Sequence, residues 1–312
     1  MNNTLIALIY FTMIVLIIFI LLLVTPDIVL SGAKNGLSLW INALIPALFP
    51  YMLFSSIMIK TGLYKDMQKL ALPLTKLLKI STNASFGIIA GLFFGYPACA
   101  ANLSLMVTDK KIDKETASFI TCAFNNISPA YIIGYTCIGL LNNSTITLPV
   151  LVLFYISLLL STILIRHLLF SSLKLIFIDV TTTIDISSTN ITKALKTSLI
   201  NIGILGCYII IFSIITEYLS VIPSDITRFL APFIEIAGGS KFLCSSGYSN
   251  DLILLIIMPA LSFGGISGIL QTIAVDSENF IDIKKYIYSK IISSVTCFAI
   301  TYIAVYVLKI PI

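Results

Sequence analysis

The chain alternates between long apolar stretches and short polar connections. Unbroken apolar runs of about 20 residues, enough to cross a bilayer as a helix, occupy residues 5 to 24, 37 to 59, 116 to 140, 147 to 165, 198 to 216 and 287 to 308. Two further runs, 84 to 108 and 252 to 275, are broken near the middle by Gly or Pro. Because these residues stop helices, we expect both runs to turn back inside the membrane as re-entrant hairpins.

Composition supports a membrane protein and argues against other classes. Of the 312 residues, 58% are hydrophobic and 11% are charged, with a mean hydropathy of +1.05, whereas soluble domains carry about 25% charged residues. The net charge of +5 does not indicate a nucleic-acid partner, because the basic residues stand one or two at a time between apolar runs. The predicted fold class is an all-α polytopic membrane protein.

The basic residues predict the orientation of the chain. With six spans and two re-entrant runs, 13 Lys and Arg fall on one side, and the six on the other side are Lys34, Arg228, Lys241, Lys284, Lys285 and Lys290. The positive-inside rule makes the richer side cytoplasmic, together with both termini. The segment from Lys60 to Lys79 is predicted to lie as a helix in the cytoplasmic interface, with Asp225 to Ile236 as its counterpart outside.

Weak internal similarity predicts two repeats. Pro73 and Asn42 match Pro232 and Asn201 at an offset of 159 residues, and the two broken runs match at an offset of 169, where Asn102 falls on Gln271. The chain then divides into an N-terminal helix (5–24), a first repeat (36–140), a connection (141–192) and a second repeat (193–308). Two inverted repeats, each with a re-entrant hairpin and a broken span, are typical of secondary transporters.

The hairpin tips are the first candidates for a binding site. The first tip comprises Gly95, Tyr96, Pro97 and Ala98, and the second includes Gly264, Gly265 and Ser267. Irregular backbone within a membrane is tolerated only where it lines a cavity or is buried in protein, and free N–H groups at a helix start suit an anion. A simple glycine kink in a packed helix is the alternative at each tip.

A polar interruption follows the first broken run. Pro129 removes a hydrogen bond from a helix interior, and Asn125, Asn126 and Ser128 bring polar side chains to membrane depth. We interpret this segment as a binding or gating element, with helix–helix hydrogen bonding as the alternative. The corresponding signal in the second repeat, Ser293 and Ser294, is weak because serine often bonds back to its own helix.

Several kinds of chemistry lack candidates. The six cysteines form no C-x-x-C pair, the single histidine (His167) cannot build a metal site, and no Ser-His-Asp set, nucleotide loop or H-E-x-x-H motif occurs. No enzyme activity, cofactor or metal is predicted. Nor does any Asp or Glu lie deep in a predicted span, so a proton or Na⁺ relay has no obvious carrier.

Three motifs carry a family resemblance. F-F-G-Y-P-A-C-A-A-N, then F-N-N-I-S-P-A-Y-I-I-G, and later F-G-G-I-S-G-I-L-Q resemble the sporulation integral membrane protein YlbJ family, whose members carry the nucleoside recognition or Gate domain. The resemblance covers about residues 36 to 305. It implies a fold like the concentrative nucleoside transporters and, in one branch, movement of dipicolinic acid across the outer forespore membrane. Cys99 and Ala101 depart from the family pattern, which has Gly and usually Lys there.

The prediction is a transporter of a small polar or anionic, dipicolinic acid-like solute, acting by alternating access in the cell membrane or outer forespore membrane of a spore-forming bacterium. Its partners are the solute and the lipid bilayer, and a homo-oligomer is compatible with the sequence. The solute would contact the two tips, and the side chains that orient it are predicted to be Asn102, Asn125, Asn126, Ser128, Ser267, Gln271 and Ser294, with Tyr96 stacking on a ring. The alternative is a non-transporting assembly or gate subunit required for spore envelope maturation.

Overall fold

A computed structural model describes residues 3–173, 184, 186–222 and 224–309. The first half contains helices α1 (Asn3–Val24), α2 (Pro26–Leu39), α3 (Ile45–Thr61), α4 (Tyr64–Leu78), α5 (Ser85–Phe93), α6 (Ala98–Thr108), α7 (Lys114–Phe124) and α8 (Thr147–Leu168). The second half contains α9 (Ser188–Ser220), α10 (Asp225–Ile234), α11 (Ile236–Cys244), α12 (Asn250–Phe263), α13 (Gly265–Ala274) and α14 (Ile283–Tyr302). Wider π-helical turns occupy Trp40–Leu44 (π1), Tyr131–Leu140 (π2) and Ile303–Val307 (π3). Within the described ranges the fold contains no β-strand.

Length and apolarity qualify four helices as membrane spans: Thr147–Leu168, Ser188–Ser220, Asn250–Ala274 and Ile283–Val307. A fifth is formed if Val15–Val24 and Pro26–Leu44 are counted together, although they meet at a bend of 96°. The all-α polytopic prediction is confirmed at this level. The predicted run from 116 to 140 is split into α7 and π2 around Pro129, as its polar interruption indicated. The loop predicted after α8 falls mostly on residues 174–183, outside the described part of the chain.

Among the described residues, helices α2 and α9 form the most extensive helix–helix contact of the fold. Gly32 and Gly36 are four residues apart on α2, and a Cβ at Gly32 would stand 2.6 Å from the Ile214 Cα. Small residues at this spacing let helix backbones approach closely in membranes, where association depends on packing rather than on the hydrophobic effect. The two helices are antiparallel, since further along the chain the Trp40 indole Nε1 donates to the Ile202 carbonyl, which precedes Ile214 on α9, at 3.0 Å.

The first broken run forms the predicted hairpin. Helices α5 and α6 fold back on each other, so that a Cβ at Gly87 would stand 2.5 Å from a Leu103 methyl, and the Cys99 thiol donates to the Gly87 carbonyl. At the open end of this hairpin, Asp109 accepts from the Lys60 ammonium at 3.0 Å. Burial lowers the pKa of the neighbouring Lys111, and the Asp109 carboxylate partly offsets that effect.

The second broken run does not form a hairpin, and this prediction is wrong. Residues Asn250–Ala274 make one candidate span. Helix α12 packs antiparallel against α14, where the Met258 carbonyl accepts from Cys297. Helix α13 continues past the glycines, packs against α9 and α10, and ends beside the start of α14, where Thr272 accepts from Tyr286. The two glycines at the centre of the span, Gly264 and Gly265, have positive φ angles of 90° and 68°. They interrupt the helix locally without reversing its direction.

Because Asn250–Ala274 crosses the molecule as one span, residues 275–285 lie at the end opposite to the one predicted. The Lys285 ammonium lies 4.6 Å from the centre of the Phe170 ring, and Ser277 pairs with Ser104 at 2.8 Å. Lys284 and Lys285 therefore lie at the end that carries Lys60, not opposite to it. Lys309, after the last span, lies at the far end, whereas the orientation prediction placed it with Lys60.

A second hairpin is present where an interfacial helix was predicted. Helices α10 and α11 fold back around Glu235, and a Cβ at Gly239 would stand 2.3 Å from the Ala231 carbonyl group. The predicted helix from Asp225 to Ile236 is the first arm of this hairpin, and Glu235 is its tip. Since α10 begins just after the end of α9, this hairpin opens at the end of the molecule opposite to Lys60 and Asp109.

Substituting Gly91 tests the packing of the first hairpin against α7. A Cβ at this position would stand 2.5 Å from the Phe124 carbonyl oxygen, which is backbone and cannot rotate away. We expect Gly91→Ala to destabilise the protein by about 1–3 kcal/mol, measured as a lower melting temperature in detergent. Gly203→Ala on α9 is the control, since nothing lies within 4 Å of its Cβ. Equal melting temperatures of the two variants would contradict this packing.

Labelling of single cysteines tests the continuous span Asn250–Ala274. In a protein with Cys207 and Cys244 replaced by serine, Lys110→Cys and Lys284→Cys should react with an impermeant reagent from the same side of a vesicle. Lys241→Cys should react from the opposite side. If position 284 reacted together with position 241, the run would be re-entrant as first predicted.

Candidate functional site between two hairpin tips and two helix breaks

A cavity of about 360 Å³ lies where the two hairpins meet the two interrupted spans. Its polar lining consists of Tyr51, Tyr96, Ser128, Tyr131, Tyr135, Glu235 and Gln271. The apolar lining includes Leu205 and Ile209, which lie at the middle of the 33-residue helix α9. The cavity therefore lies at the mid-depth of the spans, and it opens at one side to the surface of the protein, where Tyr51 and Phe93 are 48% and 59% exposed.

The first hairpin tip rests on both interrupted spans. The Tyr96 backbone N–H donates to the Asn126 carbonyl at 2.8 Å, while a Cβ at Gly268 would stand 2.7 Å from the Tyr96 ring. Gly95 supports this arrangement because its φ of +75° is readily adopted only by glycine. Its missing side chain also leaves room for the Ser128 backbone nitrogen. Tyr96 therefore connects the first hairpin to the break that follows α7 and to α13.

Pro129 explains the break between α7 and π2. In a continuous helix the nitrogen of residue 129 would donate to the Asn125 carbonyl, and proline has no N–H. The Lys290 ammonium from α14 donates to that carbonyl instead, and to the Asn126 side-chain oxygen at 3.0 Å. The two carbonyls freed at the break are thus bonded by different elements, Lys290 at Asn125 and Tyr96 at Asn126.

Asn125 also anchors the first break to the second half of the chain. Its side-chain nitrogen donates to the Thr272 hydroxyl and to the Tyr286 hydroxyl, both at 2.9 Å. Its side-chain oxygen is buried without a hydrogen-bond partner among the described residues. The segment therefore has one unused acceptor, on the residue whose backbone carbonyl Lys290 bonds.

The second hairpin brings a carboxylate to the cavity. Glu235 is buried, and its two oxygens accept from the Ala237 and Gly238 backbone N–H groups at 2.8 and 2.5 Å. A carboxylate at this place satisfies otherwise free donors at the start of α11 and opposes the positive end of the helix dipole. The Tyr135 hydroxyl donates to the Ala237 carbonyl at 2.9 Å and joins π2 to this tip.

The second break contributes one polar side chain to the cavity. Gln271 lies one turn after Ser267 on α13 and donates to its hydroxyl at 2.8 Å. The helix start at Gly265 packs against the Ile234 carbonyl of the second hairpin. Each interrupted span is therefore in contact with a hairpin tip.

The predicted site residues divide into three groups. Those that line the cavity are Tyr96, Ser128 and Gln271. Those in the surrounding tips and breaks, outside the lining, are Gly95, Pro97, Asn125, Asn126, Pro129, Gly264, Gly265 and Ser267. The structure does not bring the remaining three to the lining: Ala98 packs in an apolar cluster with Ile202, Asn102 is buried within α6, and Ser294 donates to the Pro259 carbonyl.

Sequence reasoning missed Glu235, Lys290, Tyr131 and Tyr135. Lys290 was counted as a loop charge, although it is buried within α14. A stronger repeat would have located Glu235: F-N-N-I-S from Phe124 matches F-G-G-I-S from Phe263, 139 residues later. At the same offset the first tip, with Tyr96, falls on Glu235. This offset pairs hairpin with hairpin and break with break, whereas the offset of 169 paired the first hairpin with a continuous span.

Truncation of Glu235 tests its role as a cap of the second hairpin. Glu235→Ala leaves two N–H groups of α11 without their acceptor, so we expect a loss of about 1–2 kcal/mol in the free energy of unfolding. Glu235→Asp keeps a carboxylate at the helix start and should lose less. Glu115→Ala, an exposed glutamate in the first turn of α7, is the control. If Asp and Ala at position 235 were equally destabilising, the capping role would be refuted.

Comparison with known proteins gives one partial similarity. Over 122 residues, 39% of this chain, the sequence is 23% identical to the sporulation integral membrane protein YlbJ of Bacillus subtilis (strain 168). The match spans 30% of that protein's length. No family model matches the chain, and no solved structure matches it. Together with its apolar helices, this similarity identifies the chain as an integral membrane protein, part of which resembles YlbJ.

Proposed function

We propose that the chain is a membrane transporter that binds a small polar solute in the cavity between its two hairpin tips. The observation that carries this proposal is the cavity itself, at the mid-depth of the spans and bordered by both tips and by the first helix break. Irregular backbone at membrane depth is costly unless it is buried in protein or lines a cavity, and here two hairpins and two breaks converge on one place.

The order of the elements along the chain supports the proposal, in which the two halves form an inverted repeat. In each half of the chain a hairpin, an interrupted span and a final span follow one another: α5–α6, α7–π2 and α8, then α10–α11, α12–α13 and α14. The F-x-x-I-S match links the two interruptions. The hairpins open at opposite ends of the molecule, which is the arrangement that lets access alternate around a central site.

The contacts at the tips provide a mechanism for opening. The first tip is held by the hydrogen bond from the Tyr96 N–H to Asn126, and the second by that from the Tyr135 hydroxyl to Ala237. Withdrawal of either tip would break its own bond and expose the cavity to one end. Each bond contributes about 1 kcal/mol, so solute contacts can readily bias this equilibrium.

The lining favours a solute with polar groups on an aromatic or apolar body. Several aromatic rings face the cavity, among them Tyr51, Phe94, Tyr96, Tyr131 and Tyr135, and the hydroxyl and amide groups supply hydrogen bonds. None of the described lining residues is a lysine or arginine. A dicarboxylate such as dipicolinate, which the family resemblance implies, therefore has no cationic partner in the lining.

We further propose a place in a sporulating cell, since the B. subtilis protein is named for sporulation. The membrane would be the cell membrane or the outer forespore membrane, with the Lys60 end in the cytoplasm according to the positive-inside rule.

Uptake by proteoliposomes tests the transporter proposal. Purified protein should accumulate at least one radiolabelled solute from a panel of dipicolinate, nicotinate, nucleosides and aromatic amines, above the level of protein-free vesicles. Ala130 faces the cavity, so Ala130→Phe should fill it and lower uptake about tenfold or more, since a small-molecule site depends on its free volume. Ala299→Phe, an exposed position on α14, should leave uptake unchanged. Folded protein that neither binds nor moves any member of the panel would favour the assembly subunit instead.

A further inference from the structure

Lys290 is the most deeply buried charged residue in the described part of the chain. It lies within the last span, is 1% exposed, and has no carboxylate within ion-pair distance in the described ranges. A buried unpaired charge is expensive, and ionisable residues inside membrane spans are usually functional. The proposed transport mechanism assigns Lys290 no role in contacting the solute, because it does not line the cavity.

The partners of Lys290 are all uncharged. Its ammonium donates to the Asn125 carbonyl and the Asn126 side-chain oxygen, and it lies 5.4 Å from the centre of the Tyr286 ring, within cation–π distance. The unpaired side-chain oxygen of Asn125 is a third neutral acceptor at the same break. Neutral oxygens released by an interrupted helix are the groups that coordinate monovalent cations in membrane transporters and channels.

We infer that the Lys290 ammonium is a resident cation, which occupies the place at the first helix break where a monovalent metal ion would otherwise bind. Because the cation is covalently attached to α14, the closed arrangement of α7, π2 and the first tip requires no Na⁺ or K⁺. The consequence for transport rests on the proposed function: solute movement is independent of these ions. The occupancy of the break by an ammonium group does not depend on transport and can be tested separately.

Chemical rescue provides the direct test. Lys290→Ala removes the ammonium and leaves a space, whereas Lys290→Met removes it but fills that space with an apolar chain. Both variants leave buried oxygens unpaired and should melt at a lower temperature, by roughly 5 °C. Propylammonium, which reproduces the part of the side chain that alanine lacks, should restore at least half of this loss in Lys290→Ala and none in Lys290→Met.

The measurement uses purified full-length protein in detergent and a fluorophore that reacts with thiols exposed on unfolding, since Cys99, Cys122, Cys137 and Cys297 are buried in the native fold. Lys284→Met, an exposed lysine on the same helix, should behave as the wild type. Absence of rescue by propylammonium, Na⁺ and K⁺ in Lys290→Ala would show that Lys290 is only a structural group and would overturn the inference.

A second test uses only the wild-type protein and therefore does not depend on whether a variant folds. Its melting temperature should be the same in NaCl, KCl and choline chloride at equal ionic strength, and uptake in proteoliposomes should be unchanged when choline replaces Na⁺. Stabilisation by Na⁺ or K⁺, or uptake that requires either ion, would overturn the resident-cation assignment. Failure of all uptake would refute only the transporter proposal, because the melting measurements would still decide whether an ammonium ion occupies the break.

Discussion

The fold depends on how backbone polar groups are satisfied where helices stop inside an apolar protein. In hydrocarbon, an unbonded carbonyl or N–H costs several kcal/mol, so an interrupted helix is stable only if another element reaches it. Here the polar groups of each interruption find partners close to the cavity. At the first break, Tyr96 of the first tip bonds the carbonyl of Asn126 and Lys290 of α14 bonds that of Asn125. Glu235 caps the start of α11 within its own hairpin.

Much of the architecture follows from simple sequence signals. Apolar run length identified the last spans, since helices of about 20 residues are needed to cross a bilayer, and Pro129 marked the break in the first half because proline both lacks a donor and obstructs the preceding turn. Gly95, Tyr96 and Pro97 likewise marked a true hairpin. These signals are local, and the chemistry of a single residue type suffices to interpret them.

The second half was predicted less well because its signals are not local. Gly264 and Gly265 share positive φ angles with Gly95, yet the chain continues in the same direction after them and reverses after Gly95. What differs is packing: α6 packs back on α5, whereas α12 lies along α14, where Met258 accepts from Cys297, and α13 continues onward to pack against α9 and α10. The hairpin at Glu235 was missed because its arms, α10 and α11, contain Asp225, Arg228 and Lys241 and so do not form one apolar run, although they are as short as the arms of the first hairpin. Lys290 was misplaced for a related reason, since a lysine looks like a loop residue until its partners are known.

The glycine contact between α2 and α9 has a consequence for synthesis of the protein. Ser31 on α2 bonds Glu217 on α9, 186 positions later in the chain. At 5–20 residues per second, a ribosome needs roughly 10–40 s to travel that distance. During this interval the close-packing face of α2, with Gly32 and Gly36, has no native partner and must be covered by lipid or by another membrane protein. The two halves therefore depend on each other from insertion onwards, and the long helix α9 completes the packing of the first half as well as beginning the second.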